Sequence, residues 1–249
     1  MSVWYKKQIK HYESNESYFD YGKTEMESLH IDQEFRTFTE LLNLRKTSKI
    51  LEVGCGDGRF SKYLLKYGFQ VTAVDLSKNI LDKLRKGIKG TKYQKNIKLL
   101  EANSEKLPFP DNYFDAVICV HVLHHVEHID KAIGEMTRVT RKKGIVGFIE
   151  PNPYCPYWYF FIPLCNKRMW KIEKGLTRCS ESTLKGYLLS SGVKNIKVKK
   201  FGFLPSSIIG NRKNLARLEL FLGKIPLLNI IAGTNLFKGV KTNEQKKSR

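Results

Sequence analysis

The chain has 249 residues, is 41% hydrophobic and carries a net charge of +20. That is enough for one α/β domain with insertions and too apolar for a disordered chain. Five cysteines, an odd number with no C-x-x-C pair, argue against a disulfide framework or a zinc site and predict reduced thiols in a cytosol, with no metal.

The charge is lopsided. Residues 1–150 hold 25 Lys/Arg against 20 Asp/Glu, and residues 151–249 hold 19 against 4. The second part is expected to meet something acidic, such as nucleic acid, anionic lipid or an acidic small substrate, unless the excess is merely a Lys-rich composition. Residues 1–10 lack the apolar core of a secretory signal. No apolar run reaches the roughly 18–20 residues of a membrane-spanning helix.

Residues 1–30 are polar with scattered aromatics and read as a short helix and loops; Ile31, Phe35, Phe38, Leu41 and Leu42 then recur at helical spacing. Strands are predicted at Lys49–Val53, 70–74, Ile97–Glu101, 113–120 and 145–150, with helices over 59–67, 78–87 and 129–140. The segment 141–144 is expected to form the turn before the fifth strand. Strands alternating with helices indicate a parallel sheet covered on both faces. Pro151-Asn152-Pro153 should end that pattern. An aromatic run follows at 154–165. Further on, the sequence predicts a helix over 181–191 (N-cap Ser180, stop Gly192), a strand over 193–203, helices over 211–223 and 227–231 around Pro226, and a last strand over 235–240.

The strongest local signal is Glu52-Val53-Gly54-Cys55-Gly56-Asp57-Gly58, a strand entering a Gly-rich turn ahead of a helix. Glycines admit a ligand close to the backbone, and the following helix start offers free N–H groups. Position 59 is Arg, so the dinucleotide spacing G-x-G-x-x-G is not met. The pattern suits a nucleoside joined to an amino acid. Asp75, at the end of the second strand, is placed to accept two ribose hydroxyls or to neighbour a helix cap.

With Glu101-Ala102-Asn103-Ser104, Leu107-Pro108-Phe109, Val122-Leu123-His124-His125 and Glu135-Met136-Thr137-Arg138-Val139, these elements resemble the class I S-adenosylmethionine-dependent methyltransferases, closest to the branch with the quinone and sterol C-methyltransferases. The resemblance covers about residues 50–150 and extends weakly through 180–204. It implies an α/β fold of Rossmann-like type: a doubly wound, mostly parallel seven-stranded sheet with C-terminal aromatic and helical insertions. The parts would be an N-terminal lid and helix (1–45), a cofactor-binding core (46–150), an aromatic insertion (151–179), the rest of the sheet with a helical insertion (180–241) and a charged tail (242–249). It also implies S-adenosyl-L-methionine as cofactor. Gly54, Cys55, Gly56 and Gly58 would surround its methionyl part, with Glu52 beneath. Asp75 would hold the ribose and Leu76 would cover the adenine. Asn103, where the family has Asp, and the Ser104 backbone would face the adenine edge. His121 would lie beside the methyl group, and Tyr18 and Tyr21 would belong to the lid.

A general base is needed only if the acceptor must lose a proton. His121, His124, His125, His128 and Glu150 are candidates at the strand ends, with His121 preferred; His124 and His125 are expected to pack against and cap the next helix. The acceptor is expected to be small or lipid-like. An RNA methyltransferase and a non-catalytic cofactor-binding or assembly protein are the alternatives. The aromatic run and the basic-apolar stretch 215–228 read either as self-packed insertions or as a peripheral membrane contact.

Overall fold

Alternation of apolar residues in the buried strands divides the molecule into two cores. In the computed structural model, which describes residues 2–14, 25–159, 174–203, 218, 221–222, 225 and 228–243, strand β1 (Lys49–Val53) sends Leu51 and Val53 to one face of a sheet and Ile50 to the other. Helices α1 (Val3–Ser14) and α2 (Glu25–Leu42) precede it. The chain then runs α3 (Arg59–Lys66), β2 (Gln70–Asp75), α4 (Lys78–Ile88), β3 (Ile97–Glu101), β4 (Phe114–Val120), α5 (Ile129–Val139) and β5 (Thr140–Pro151). It continues with α6 (Glu181–Ser190), β6 (Val193–Phe201) and β7 (Thr234–Lys241).

The seven strands lie in the order β3-β2-β1-β4-β5-β7-β6. β1 to β5 are parallel, and β7 runs antiparallel to both β5 and β6. One core joins Val117, Val146 and Phe237 to Met136 of α5 and Leu184 and Leu188 of α6. The opposite core joins Ile118 and Leu236 to Phe38 of α2, Phe60 and Leu64 of α3, and Leu84 of α4. The fold is thus the doubly wound, mostly parallel seven-stranded sheet expected from the sequence.

Three expectations need correction. Residues 141–144 are not a turn ahead of the fifth strand. They lie inside β5 as a bulge between the pairs Phe114↔Thr140 and Ala116↔Ile145, with Lys143 in the left-handed region. The strand runs one residue further than expected: Pro151 is its last residue, paired with Thr234, and the chain leaves the sheet at Asn152. Asn152 N–H donates to Gly233 O at 2.8 Å, which makes Pro151 and Thr234 a non-hydrogen-bonded pair, a place where this ladder does not call on the N–H that proline lacks. Lastly, the short N-terminal helix is α1, but α2 already begins at Glu25, ahead of the helical run expected from Ile31.

The 227–231 segment is a 3-10 turn, Leu228–Ile231. Most of the expected 211–223 helix, residues 160–165 of the aromatic run, and Tyr18 and Tyr21 lie outside the described residues. The family-like motif in α5 has a local explanation. Glu135 Oε2 accepts the Leu107 N–H at 2.8 Å, and Arg138 donates to Phe109 O, Leu107 O and Asp111 Oδ1, which fixes the 107–111 loop.

Candidate active site

Strand order places the candidate residues in a row. β1 leads outward to β2 and β3, whereas β4 starts on the other side of β1, so the chain changes direction between β1 and β4. Open α/β sheets bind ligands outside the strand carboxyl ends at such a point. A cavity of about 360 Å³ lies there. Across it run Asn103 and Ser104 after β3, Asp75 at the end of β2 with Leu76 and Ser77, Gly54 to Asp57 after β1, His121, Val122 and His124 to Val126 after β4, and Pro151 at the end of β5 with Trp158 beyond it.

The Gly turn is built for close approach. A Cβ at Gly58 would stand 2.4 Å from Leu84 Cδ1, and φ there is +81°, so this glycine lets α3 seat against α4. Gly54 lies against Val122 in the same way. Gly56, at φ +53°, has open space where a side chain would stand, on the cavity side of the turn. The Cys55 thiol is buried and pushed up by that burial, so it is not a ready nucleophile.

Asp75 organises this turn. Its Oδ2 accepts the Gly56 N–H and its Oδ1 the Ser77 N–H, both at 2.9 Å. Burial raises its pKa while these backbone donors pull it back. The N-cap of α4 is Ser77, whose hydroxyl accepts from Ile80 N–H, so Asp75 neighbours the cap and is not the cap itself. Glu52 lies in buried β1 and accepts the Ser61 hydroxyl. Burial, with the nearby Asp57 and Asp75 charges, pushes its pKa up to about 8 against the pull of Ser61 and Arg59. Asn103 Oδ1 accepts the Glu105 N–H at 2.8 Å, and Leu76 and Ser104 line the wall beside it.

The β4 end holds the histidines, and the structure separates them. His121 lines the cavity at φ +56°, its N–H bonded to Ile149 O at 2.8 Å and its Nε2 3.6 Å from Glu34 Oε2. Left-handed backbone is unusual for a residue other than glycine and often marks a working position. Glu34, buried on α2, also accepts the Thr234 hydroxyl at 2.9 Å.

His124 and His125 do not cap α5. They form a 3-10 turn with Leu123, their rings 3.8 Å apart, and the N-cap of α5 is His128, with no side-chain cap. His128 is exposed and outside the cavity lining. Glu150 is completely buried and spent on this turn. It accepts Val122 N–H at 2.9 Å, Leu123 N–H at 2.7 Å and the His124 Nδ1 contact at 2.6 Å. Arg178 clamps the turn from the far side, donating to Val126 O at 2.7 Å and Glu127 O at 3.0 Å.

Sequence reasoning places a helix and lid in the N-terminal segment but does not single out Glu34, nor Tyr5, Gln8 and Ile9 of α1, which line the cavity. Their i, i+3, i+4 spacing is the one available signal, and the polar Gln8 in its centre hides it. Among the described residues no cluster of His, Cys, Asp and Glu suits a metal ion.

Residues 51–148 match the family model described as Methyltransferase domain. A ubiquinone/menaquinone biosynthesis C-methyltransferase of Pseudomonas entomophila (strain L48) is 30% identical over 180 residues, covering 64% of this chain and 70% of that protein. A solved SAM-dependent methyltransferase of Thermotoga maritima superposes with a TM-score of 0.64 at 17% identity, over 97% of this chain and all of that one (100%). Phosphoethanolamine N-methyltransferase 2 of Haemonchus contortus gives 0.62 at 16%, over 85% of this chain and 53% of that one. At such identities the likeness of the two structures concerns the fold.

Proposed function

From the premise that this chain belongs to the class I S-adenosylmethionine-dependent methyltransferases, we propose that it methylates a small, lipid-like acceptor at the β4–β5 end of the cavity, with His121 as the general base. The enzyme uses S-adenosyl-L-methionine. The cavity fits that molecule on three counts. The space at Gly56 admits a ligand against the backbone, Asp75 and Asn103 offer polar atoms at the nucleoside end, and the buried Glu52 carboxyl lies beneath the turn. Asp75 and Leu76 would hold the ribose and cover the adenine, and Asn103 and Ser104 would meet the adenine edge. Gly54, Cys55 and Gly56 would carry the methionyl part above Glu52, with Gly58 outside the lining and shaping the turn against α4.

When bound, this cofactor supplies a methyl group on a sulfonium, already activated for displacement. What remains for the chain is alignment, worth roughly 7–11 kcal/mol when geometry is held, and removal of a proton where the acceptor carries one. The observation that carries the reading is the adjacency set by strand order. His121 follows β4, next to the Gly turn after β1, while Pro151 and Trp158 after β5 supply an apolar wall on the outer side. Glu34 Oε2, 3.6 Å from His121 Nε2, would orient the ring toward the acceptor. The relatives named for C-methylation make carbon the favoured target.

A second observation favours a membrane-surface approach. Tyr154 is 58% and Ile230 59% exposed, and their segments are tied together where Asn152 Nδ2 donates to Ile230 O at 2.8 Å and Ala232 O at 2.7 Å. Trp158 joins that pair to the cavity, with Nε1–H donating to Gly233 O. No helix among the described residues is long and apolar enough to cross a membrane. The test is to incubate the purified protein and isotope-labelled cofactor with an extract from cells lacking the gene. Label in a lipid-soluble product, retained on carbon, is expected; label confined to RNA overturns the reading.

A further inference from the structure

The helix that roofs the cavity carries an amide with an orphaned oxygen. α1 is fastened at three places. Trp4 Nε1–H donates to His125 O at 2.8 Å, the Tyr5 hydroxyl donates to Glu105 Oε1, and Glu13 Oε1 accepts the Ser77 hydroxyl at 2.6 Å. The Arg178 guanidinium lies 5.2 Å over the Trp4 ring and tightens the first of these. Between the fastenings, Gln8 stands one turn after Tyr5 and lines the cavity. It is only 9% exposed, and its Oε1 is sealed from solvent without a hydrogen-bond partner. Buried polar atoms are nearly always satisfied, so an unpaired oxygen on a side chain of the cavity lining calls for a donor from a ligand.

We infer that Gln8 is a binding residue that reads a hydrogen-bond donor on the nucleoside half of the cofactor. The fastenings locate it. Glu105 follows Ser104 beyond β3, and Ser77 follows Asp75 and Leu76 beyond β2, so the stretch of α1 from Tyr5 to Glu13 spans the β2–β3 end of the row. The donors available on a nucleoside are its ribose hydroxyls and the exocyclic amine of adenine. Each Asp75 carboxylate oxygen already accepts a backbone N–H, and Asn103 Oδ1 accepts another. An uncommitted acceptor in the roof supplements what those wall groups share out. Ile9, beside Gln8, adds an apolar surface to the same roof. The inference rests on the cavity being the cofactor site, as proposed above.

The test is calorimetric titration of the full chain with S-adenosylhomocysteine and with 5′-methylthioadenosine, which keeps the nucleoside and lacks the amino acid. Gln8→Met preserves volume and removes the acceptor. It should raise Kd about tenfold for both probes, the scale of a lost hydrogen bond to a buried group. Hydrogen exchange over residues 3–14 reports whether α1 stays docked; Gln8→Asn, which keeps the amide but shortens its reach, serves where Gln8→Met loosens the helix. A loss for S-adenosylhomocysteine alone would assign Gln8 to the amino-acid half and overturn the inference. So would unchanged affinity for both probes. Gly56→Val separates the two levels. If it abolishes binding while Gln8→Met and Gln8→Asn bind as wild type, Gln8 alone loses its role; if it leaves binding intact, the cavity loses the cofactor and both readings fall.

Discussion

Glu150 Oε2 and His124 Nδ1 stand 2.6 Å apart with both side chains buried, and this contact anchors the loop that carries His121. Glu150 answers three backbone N–H groups of the same loop, those of Val122, Leu123 and His124, so the carboxylate replaces the hydrogen bonds that a strand would have provided beyond Val120. Removing it strands those donors in the interior. Glu150→Ala should cost about 3–5 kcal/mol, the range for breaking a buried charged pair, measured by urea unfolding.

The same pair makes stability depend on acid. Burial alone would raise the Glu150 pKa, but the His124 ring, through charge and hydrogen bond, holds it below the usual carboxylate range. A carboxylate lowered in the folded state binds fewer protons there than in the unfolded chain. Its stabilisation is therefore full above the ordinary carboxylate value and is lost as pH falls through the folded value. The midpoint of unfolding should drop below about pH 4.5 in the wild type, and Glu150→Gln should remove that component of the drop.

Glu52 behaves in the opposite sense. Its folded pKa of about 8 lies above the ordinary value, so the folded state holds a proton that the unfolded chain releases. Its contribution is present at low pH and lost as pH rises through about 8. A cationic ligand beside this group favours the carboxylate, so binding S-adenosylmethionine near neutral pH should release protons. Titrations in buffers of different ionisation enthalpy read that number directly. Glu52→Gln should abolish the release; a release unchanged in this variant would remove Glu52 from the site.

Asp75→Ala should weaken S-adenosylhomocysteine binding by about 1–3 kcal/mol, as expected for hydrogen-bonding groups left without partners. Part of this loss is indirect, because the variant also frees the Gly56 and Ser77 N–H groups that shape the turn. Affinity equal to wild type by calorimetry would show that the ribose is held elsewhere.

His121→Ala should lower kcat by about 10²–10⁴-fold, the usual contribution of a positioned base, with cofactor affinity little changed. Glu34→Gln should lower kcat by a smaller factor, because the base survives and loses only its orientation. A loss confined to cofactor affinity would make His121 a wall of the cavity and Glu34 a packing residue. Rapid-quench measurement of the first turnover separates chemistry from product release.

Peripheral binding is checked by co-sedimentation with neutral and anionic vesicles at low and high salt. Basic residues near an anionic surface add about 1 kcal/mol each, so binding should need anionic lipid and fade with salt. Replacing Tyr154 and Ile230 by Ser should reduce it. Absence from both vesicle types would leave the exposed side chains without a membrane role.

The parts of the molecule set by local chemistry are legible in the sequence. β1 and β3 coincide with their predicted ranges, and the Gly turn between β1 and α3 lies in the cavity wall. The less legible features depend on neighbours distant along the chain. Pro151 is tolerated because of where Thr234 lies across from it, and the bulge in β5 is defined only by its register with β4. His121 meets Glu34, which in turn accepts the Thr234 hydroxyl from the far end of the chain, and no periodicity links the three. Gln8 reads as an ordinary polar position of a surface helix until the cavity beneath it is seen.

The position of β7 between β5 and β6 has a consequence for synthesis. The ribosome delivers β6 well before the strand that will hold it, so during elongation its ladder groups face water or the wrong partner. The parallel half of the sheet can assemble first, but its β5 edge stays open until residues 234–241 emerge. Lys241, whose Nζ caps Thr140 O and Arg138 O at the start of β5, then closes the seam. Nascent chains arrested before residue 234 should accordingly be the species that chaperones retain.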